Sequence, residues 1–154
     1  TITGLAFLMV GLSYDRTHTR HIPHLGGLWK KMPLIAIFFL IAGFGSLGLP
    51  ALSGFVAEIM VFLGAFSVWP WATAVSAFGV VLAAGYTLWM VQRVFFGERP
   101  ANPGLSDDVY DGLTDANWVD MIPVIALATP IFIVGIWPSV VTDVFDMGIQ
   151  AVLK

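Results

Sequence analysis

The sequence predicts an all-α fold, a polytopic bundle of membrane-crossing helices, one of which is discontinuous. Two features of the composition carry this prediction. Hydrophobic residues make up 58% of the 154 residues and charged residues only 11%, whereas a soluble chain has about 25% charged residues. The mean hydropathy of +0.87 agrees with these fractions, so we expect lipid to be the solvent for most of the chain.

The charge and cysteine content exclude several functional classes. A formal net charge of -3 excludes a basic nucleic-acid binder. The absence of cysteine excludes disulfides, thiol catalysis, and iron–sulfur or zinc sites that are held by cysteine. We therefore expect no cofactor in this chain, and any redox chemistry must take place elsewhere.

Apolar runs divide the chain into four predicted membrane segments within a single transmembrane domain, 1–154. The runs lie at about 1–13, 33–68, 71–92 and 121–138, and polar loops lie at 14–32 and 93–120. The first run begins without an initiator methionine or a signal-peptide pattern, so we expect the chain to be the C-terminal part of a longer protein.

Basic residues predict the orientation of these segments. Both polar loops carry them, whereas the turn between residues 68 and 71 carries none, so we expect the loops to face the cytoplasm of a bacterial inner membrane. The C-terminus would then lie on the outer side. Trp69 and Trp71 would mark the outer boundary, at the depth where aromatic belts lie. The basic loop residues are Arg16, Arg20, Lys30, Lys31, Arg93 and Arg99.

Segment 33–68 is too long for one crossing. As a continuous helix it would measure about 54 Å, against about 30 Å for the hydrocarbon core. Its middle is rich in glycine and contains a proline, which predicts two half-helices joined by an extended linker near 45–53. The alternative is a glycine-lined packing face with a simple proline kink. The predicted hinge residues are Gly45, Ser46, Gly48, Pro50, Ser53 and Gly54.

Glu58 is the only charged side chain between Lys31 and Arg93. If Ser53 caps the second half-helix, Glu58 lies about one turn inside it and leans back toward the break. Apolar surroundings oppose its charge, whereas the positive helix end and nearby water favour it, so we expect an exchangeable proton. A proton relay needs such a group; the alternative is a protonated acid with a purely structural role.

Two loop features invite a metal site and do not support one. His18, His21 and His24 share no helix face, because Pro23 interrupts them. We interpret the histidine segment instead as an interfacial loop beside anionic lipid or another subunit. A further hypothesis is that His18, His24 and Lys30 take part in proton uptake at the cytoplasmic mouth. The aspartates of loop 93–120 lack the spacing of a calcium-binding loop, so we expect a solvated loop there, with a docking surface as a further hypothesis.

The motifs of the chain resemble a known family, the M-type (subunit 4) antiporter-like proton-pumping subunits of respiratory complex I, the NADH–quinone oxidoreductase. The resemblance covers essentially the whole chain, and Leu-Pro-x-x-Ser-Gly-Phe-x-x-Glu at 49–58 is its most specific part. The further motifs are His18-Thr-Arg20, Gly26-Gly-Leu-Trp29, Met32-Pro33, Arg93-Val-Phe-Phe-Gly97 and Ile136-Trp-Pro138.

The resemblance implies the C-terminal part of a fourteen-helix fold with inverted repeats. The chain would supply the end of the eleventh helix, the broken twelfth, the thirteenth and the fourteenth. In the family the twelfth helix carries the terminal ionisable residue of the proton path, a glutamate in the M type, and Glu58 occupies that place. The family's other proton-path residues would precede Thr1, so this chain alone should pump nothing.

The implied partners are the missing N-terminal helices of the same subunit, the other membrane-arm subunits of complex I, and the lipid bilayer. Quinone reduction in distant subunits would drive the pump. Two alternatives stay open. One is a subunit of a multi-subunit cation/proton antiporter or membrane-bound hydrogenase, and the other is a non-conducting membrane scaffold that tolerates an apolar residue at Glu58.

Overall fold

The computed structural model describes residues 1–99 and 105–144. Within these ranges the chain is helical and contains no strand, which confirms the predicted all-α fold. Two short 3₁₀ turns follow the first helix, and a π-helical turn at Gln92–Phe96 continues α4. The helices are α1 (Ile2–Thr17), α2 (Pro33–Ser46), α3 (Ser53–Val68), α4 (Pro70–Val91), α5 (Asp107–Asp111) and α6 (Trp118–Ile136).

Two of these helices are long and apolar enough to cross a membrane alone. They are Pro70–Phe96, with 27 residues, and Trp118–Ile136, with 19. By contrast α2 and α3 have 14 and 16 residues, which correspond to about 21 and 24 Å of helix. Neither reaches across a hydrocarbon core of about 30 Å.

The chain turns twice between α2 and α3. First, Gly48 takes a left-handed conformation (φ 62°), and the N–H of Leu49 donates to the carbonyl of Phe44 at 3.1 Å, as in a Schellman C-cap. Second, residues 49–52 form a tight turn with Pro50 and Ala51 at its centre, and Ala51 has φ 76°. The N–H of Leu52 closes this turn on the carbonyl of Leu49 at 3.1 Å.

The start of α3 differs from the expectation that Ser53 caps it. Leu52 occupies the capping position in extended conformation, and Ser53 is the first helical residue. No side chain caps this helix end; the N–H of Phe55 donates to the main-chain oxygen of Leu52 instead. The turn through Pro50 ends at Leu52, so Leu52 and not Ser53 is the residue that precedes the helix.

The buried core lies among α1, α2 and α6. Leu5 and Met9 of α1, Ile35 of α2, and Val124 and Ile131 of α6 are almost completely buried. The helices α3 and α4 form a hairpin that contacts this core at the start of α3 and along the second half of α4. Large apolar side chains cover the outer faces of the hairpin, as expected for a chain solvated by lipid or by further helices.

Asp107, Asp108 and Asp111 of the segment from residue 105 to 120 are exposed, as in a solvated loop, whereas Asp115 and Asp120 are half-buried. The Asp115 carboxylate accepts the N–H groups of Leu34 and Ile35, at 2.7 and 3.3 Å, and so caps the beginning of α2. Asp120 pairs with Arg16 of α1 at 2.6 Å. Asp115 and Asp120 therefore bind the start of α6 to the ends of α1 and α2.

Candidate functional site

The site is built around Glu58, in the second turn of α3. Its carboxylate lies against the Cα of Gly48 in the linker. A methyl group at Gly48 would lie 2.6 Å from the carboxyl carbon and 3.0 Å from one oxygen, and it would overlap the other oxygen. Glycine is therefore required here for two reasons, the left-handed backbone and the space that the carboxylate occupies.

The remaining predicted hinge residues lie on both sides of the linker. Gly45 and Ser46 form the last turn of α2, Pro50 lies in the second turn of the linker, and Ser53 and Gly54 begin α3. The carbonyl oxygen of Gly45 abuts Gly54 so closely that a side chain at Gly54 would collide with it. The two half-helices thus meet backbone to backbone at Gly45 and Gly54.

A third wall of the site comes from α6, and sequence reasoning missed it. A methyl group at Gly135 would lie 2.5 Å from the carbonyl carbons of Ala51 and Leu52. Gly135 therefore lets the end of α6 pack directly on the linker. The signal was present in the sequence, since a single glycine inside an apolar helical run often marks a close backbone approach.

The surroundings of Glu58 are apolar apart from the linker backbone. A shallow depression beside it on α3 is lined by Ala57, Glu58, Val61 and Phe62. Glu58 is half-buried, and within the described residues its carboxylate takes part in no ion pair and no side-chain hydrogen bond. An acidic side chain within a membrane segment is rare and is a candidate for a functional role.

The candidate proton-uptake residues are not assembled with Glu58. His18 ends α1 in a left-handed conformation, with its ring edge-on to Tyr14 at 6.4 Å. The rings of His21 and His24 lie 4.4 Å apart, and Lys30 ends the turn that leads into α2. All four lie beyond the N-terminal end of α2, whereas Glu58 lies beyond its C-terminal end.

Hydroxyl groups of α4 are mostly engaged within their own helix. Thr73 donates to the carbonyl of Trp69 at 2.9 Å, and Ser76 donates to that of Ala72 at 2.8 Å. Thr87 is buried, and its methyl carbon would lie 3.3 Å from a Cβ atom placed on Gly43. Thr87 therefore packs α4 against α2, and Glu58 is the one carboxylic acid in segment 33–68.

Comparison with known proteins shows which family this chain is similar to. Residues 1–83, which include the linker and Glu58, match the family model described as NADH:quinone oxidoreductase/Mrp antiporter, transmembrane. A protein of Rhodobacter capsulatus named NADH-quinone oxidoreductase subunit M is 39% identical, over 99% of this chain and 29% of its own length.

Two further relatives extend this similarity. NAD(P)H-quinone oxidoreductase chain 4 2 of a Synechococcus strain is 39% identical over 96% of this chain and 28% of its own length. Subunit M of NADH-quinone oxidoreductase from Pseudomonas aeruginosa is 38% identical over 95% of this chain and 27% of its own length. The chain spans less than a third of the length of these curated relatives.

Proposed function

Because this chain belongs to the NADH:quinone oxidoreductase/Mrp antiporter family of multi-pass membrane proteins, we propose that it forms part of a proton path, in which Glu58 is the exchangeable site. The supporting observation is the contact between the Glu58 carboxylate and Gly48 in the linker. This contact places the only charged group of the broken segment against backbone that is not part of a helix.

The broken segment supplies what proton exchange requires. The first N–H groups of α3 have no partner within that helix and face the linker. The side chains beside Glu58 on the other side, Val61 and Phe62, are apolar. In this proposal Glu58 takes up and releases its proton on the linker side, where polar main-chain groups lie.

In this proposal the linker acts as the hydrated hinge of the path. Polar backbone outside a helix is tolerated at membrane depth only where protein or water satisfies it. The main chain at Pro50 and Ala51 lies outside any helix, in the second of two successive turns, and the Ala51 carbonyl packs against Gly135 of α6. Water in this gap would connect Glu58 to the rest of the path, which the longer relatives contain in their remaining length.

The proposed orientation places the histidine loop in the bacterial cytoplasm and Trp69 with Trp71 at the outer surface. Both indoles are largely exposed, 70% and 86%, as anchors at a lipid interface would be. Protons would be taken up near His18, His24 and Lys30, and the C-terminus would lie on the outer side. The inner membrane is the proposed location.

We further propose that the chain acts as a non-redox part of a proton-pumping NADH–quinone oxidoreductase. The relatives named as subunit M or chain 4 of that enzyme support this choice. Its partners would be the remaining helices of the same subunit and the other membrane-arm subunits. Quinone reduction in distant subunits would drive the proton transfer. We assign no cofactor and no chemical catalysis to this chain.

A cation/proton antiporter is the second candidate, since the matching family covers both classes of protein. Isolation of the assembled protein distinguishes them. Flavin and iron–sulfur partners would identify the oxidoreductase, whereas sodium-dependent transport without such partners would identify the antiporter. A non-conducting scaffold is the third candidate, and it predicts that Glu58→Leu leaves transport unchanged.

The decisive experiment replaces Glu58 by glutamine in the assembled complex and measures proton pumping and coupled quinone reductase activity in proteoliposomes. Glutamine keeps the shape and cannot exchange a proton, so we expect pumping to fall about tenfold or more. Glu98→Gln is the matched control, because Glu98 is the second glutamate of the chain and is exposed beyond α4. Unchanged pumping in Glu58→Gln would refute the relay.

A further inference from the structure

The end of α6 meets the linker of the broken segment backbone to backbone. A Cβ atom on Gly135 would overlap the Ala51 carbonyl oxygen and would lie 2.5 Å from the carbonyl carbon of Leu52. One turn earlier on the same face of α6, the fully buried Ile131 lies 3.6 Å from the place that a Cβ atom on Gly45 would take. The helix α6 therefore contacts the broken segment at two successive turns.

The turn beside Gly135 is one that its own sequence does not favour. Residues 49–52 form this turn, with Pro50 in the second position and Ala51, at φ 76°, in the third. Proline second and a positive φ third are the features of a type II turn, whose third position prefers glycine. Alanine there costs free energy and persists only where the surrounding structure holds it. The contact with α6 supplies such a constraint.

The position of this turn determines where α3 begins. Leu52 ends the turn, is buried, and precedes the first residue of α3 in extended conformation. Its main-chain oxygen accepts the N–H of Phe55 in the first turn of the helix. Glu58 follows in the second turn, with its carboxylate against the Cα of Gly48 in the linker. A displacement of the turn would therefore move the Glu58 carboxylate relative to Gly48.

We propose that Gly135 is a positioning residue of the site: it lets α6 lie directly on the Ala51 carbonyl, which holds the strained turn and keeps the Glu58 carboxylate in its place. A larger residue at position 135 would meet main-chain atoms, which cannot rotate away as the end of a flexible side chain can. The turn itself would then have to move. The effect of this movement on transport rests on the proposed function of Glu58, whereas the placement of its carboxylate does not.

The test replaces Gly135 by alanine in the complete protein that contains this chain, in the assembly from which it is isolated. Infrared spectroscopy follows Glu58 directly, as the carboxyl or carboxylate band that Glu58→Gln removes. We expect Gly135→Ala to shift this band and to lower proton pumping in proteoliposomes about tenfold, because a small misplacement of a reacting group lowers its rate strongly. Gly64→Ala is the matched control, since a Cβ atom on that glycine of α3 meets no atom within 4 Å, and it should change neither.

A second substitution separates positioning from a general loss of stability. Glycine at position 51 has a wider range of backbone conformations than alanine, so the peptide group after it can turn away from a methyl group at position 135. We expect Gly135→Ala/Ala51→Gly to return the band and pumping toward their original values. Gly135→Ala/Ala74→Gly, which changes an exposed alanine of α4, should restore neither. If Gly135→Ala alone does not assemble, assembly of Gly135→Ala/Ala51→Gly would support the contact, and its failure to assemble would overturn it.

Two further results would overturn the positioning role. An unshifted Glu58 band in assembled Gly135→Ala would show that α6 moves and the turn does not. A shift that Ala51→Gly does not reduce would show that the methyl group acts at another place. The proton-path proposal fails in a different way. If Gly135→Ala shifts the band while neither it nor Glu58→Gln lowers pumping, α6 positions Glu58, but Glu58 is not the exchangeable site.

Discussion

Two regions of this chain use carboxylates in opposite ways. Where α6 begins, Asp115 and Asp120 are bound to named partners, two helix N–H groups and the Arg16 side chain. At the broken segment, Glu58 lies against the Cα of Gly48 with no partner of that kind among the described residues. A carboxylate with fixed partners stabilises the fold, whereas Glu58, which lacks them, is the one that we propose for proton transfer.

This contrast predicts that substitutions at the two regions separate stability from transport. Changes at the aspartate end, which we define as Asp115, Asp120 and their partners at the start of α6, should lower the free energy of unfolding and leave pumping per assembled complex unchanged. Changes at the linker should alter pumping even where the protein still assembles.

The largest effect should come from Gly48→Ala. Alanine at φ 62° costs about 1–2 kcal/mol, and its methyl group must also displace the Glu58 carboxylate. We expect about 2–3 kcal/mol of destabilisation by thermal unfolding and a clear loss of proton pumping in proteoliposomes. Gly79→Ala is the control, since a methyl group there meets no atom within 4 Å.

The double variant Gly48→Ala/Glu58→Gln tests whether the two effects have one cause. Ala51 of the same linker already has positive φ, so backbone strain alone is tolerated there. If the methyl group acts by displacing Glu58, the pumping losses should not add. Additive losses would show that Gly48 serves the backbone only.

The sequence signals of the broken segment are local. Glycines and Pro50 within a run too long for one crossing predict two half-helices with an extended linker, whereas the chain forms two turns between α2 and α3. The position of Ala51 in the second turn was not predictable, because alanine gives no signal for positive φ. Composition likewise did not show that Leu52 would take the capping position expected of Ser53.

The role of the aspartates was not predictable, because it depends on contacts between distant parts of the chain. Asp115 and Leu34 are 81 positions apart, and only the packing of α6 beside α1 and α2 brings them together. The sequence shows that Asp115 is an acid in a polar stretch. That it caps α2 follows from tertiary structure, as does the approach of Gly135 to the linker.

An intermediate effect should come from Asp115→Ala. The substitution removes an acceptor from Leu34 and Ile35, whose N–H groups lie in the first turn of α2 and have no carbonyl of that helix to bind. We expect about 1–2 kcal/mol of destabilisation by thermal unfolding, with pumping per assembled complex unchanged. Asp108→Ala, at an exposed position of α5, should cost much less. A pumping defect in Asp115→Ala would mean that the two regions are coupled.

The smallest effect should come from Lys31→Gln, although Lys31 pairs with Asp111 at 3.1 Å. Asp111 is 75% exposed, so water and salt screen the pair, and we expect a cost of about 0.5 kcal/mol or less. Arg16→Gln is the comparison, because its side chain is only 13% exposed and donates to Asp120 and to the main-chain oxygens of Thr114 and Asp115.

Thermal unfolding at low and high salt checks this difference. The small cost of Lys31→Gln should vanish at high salt, whereas the larger cost of Arg16→Gln, about 2 kcal/mol, should persist because burial limits screening. Equal costs for the two variants would show that the number of ion pairs, and not their burial, determines how firmly the aspartate end is held. In that case the difference between the aspartates and Glu58 would have to be explained by something other than fixed partners.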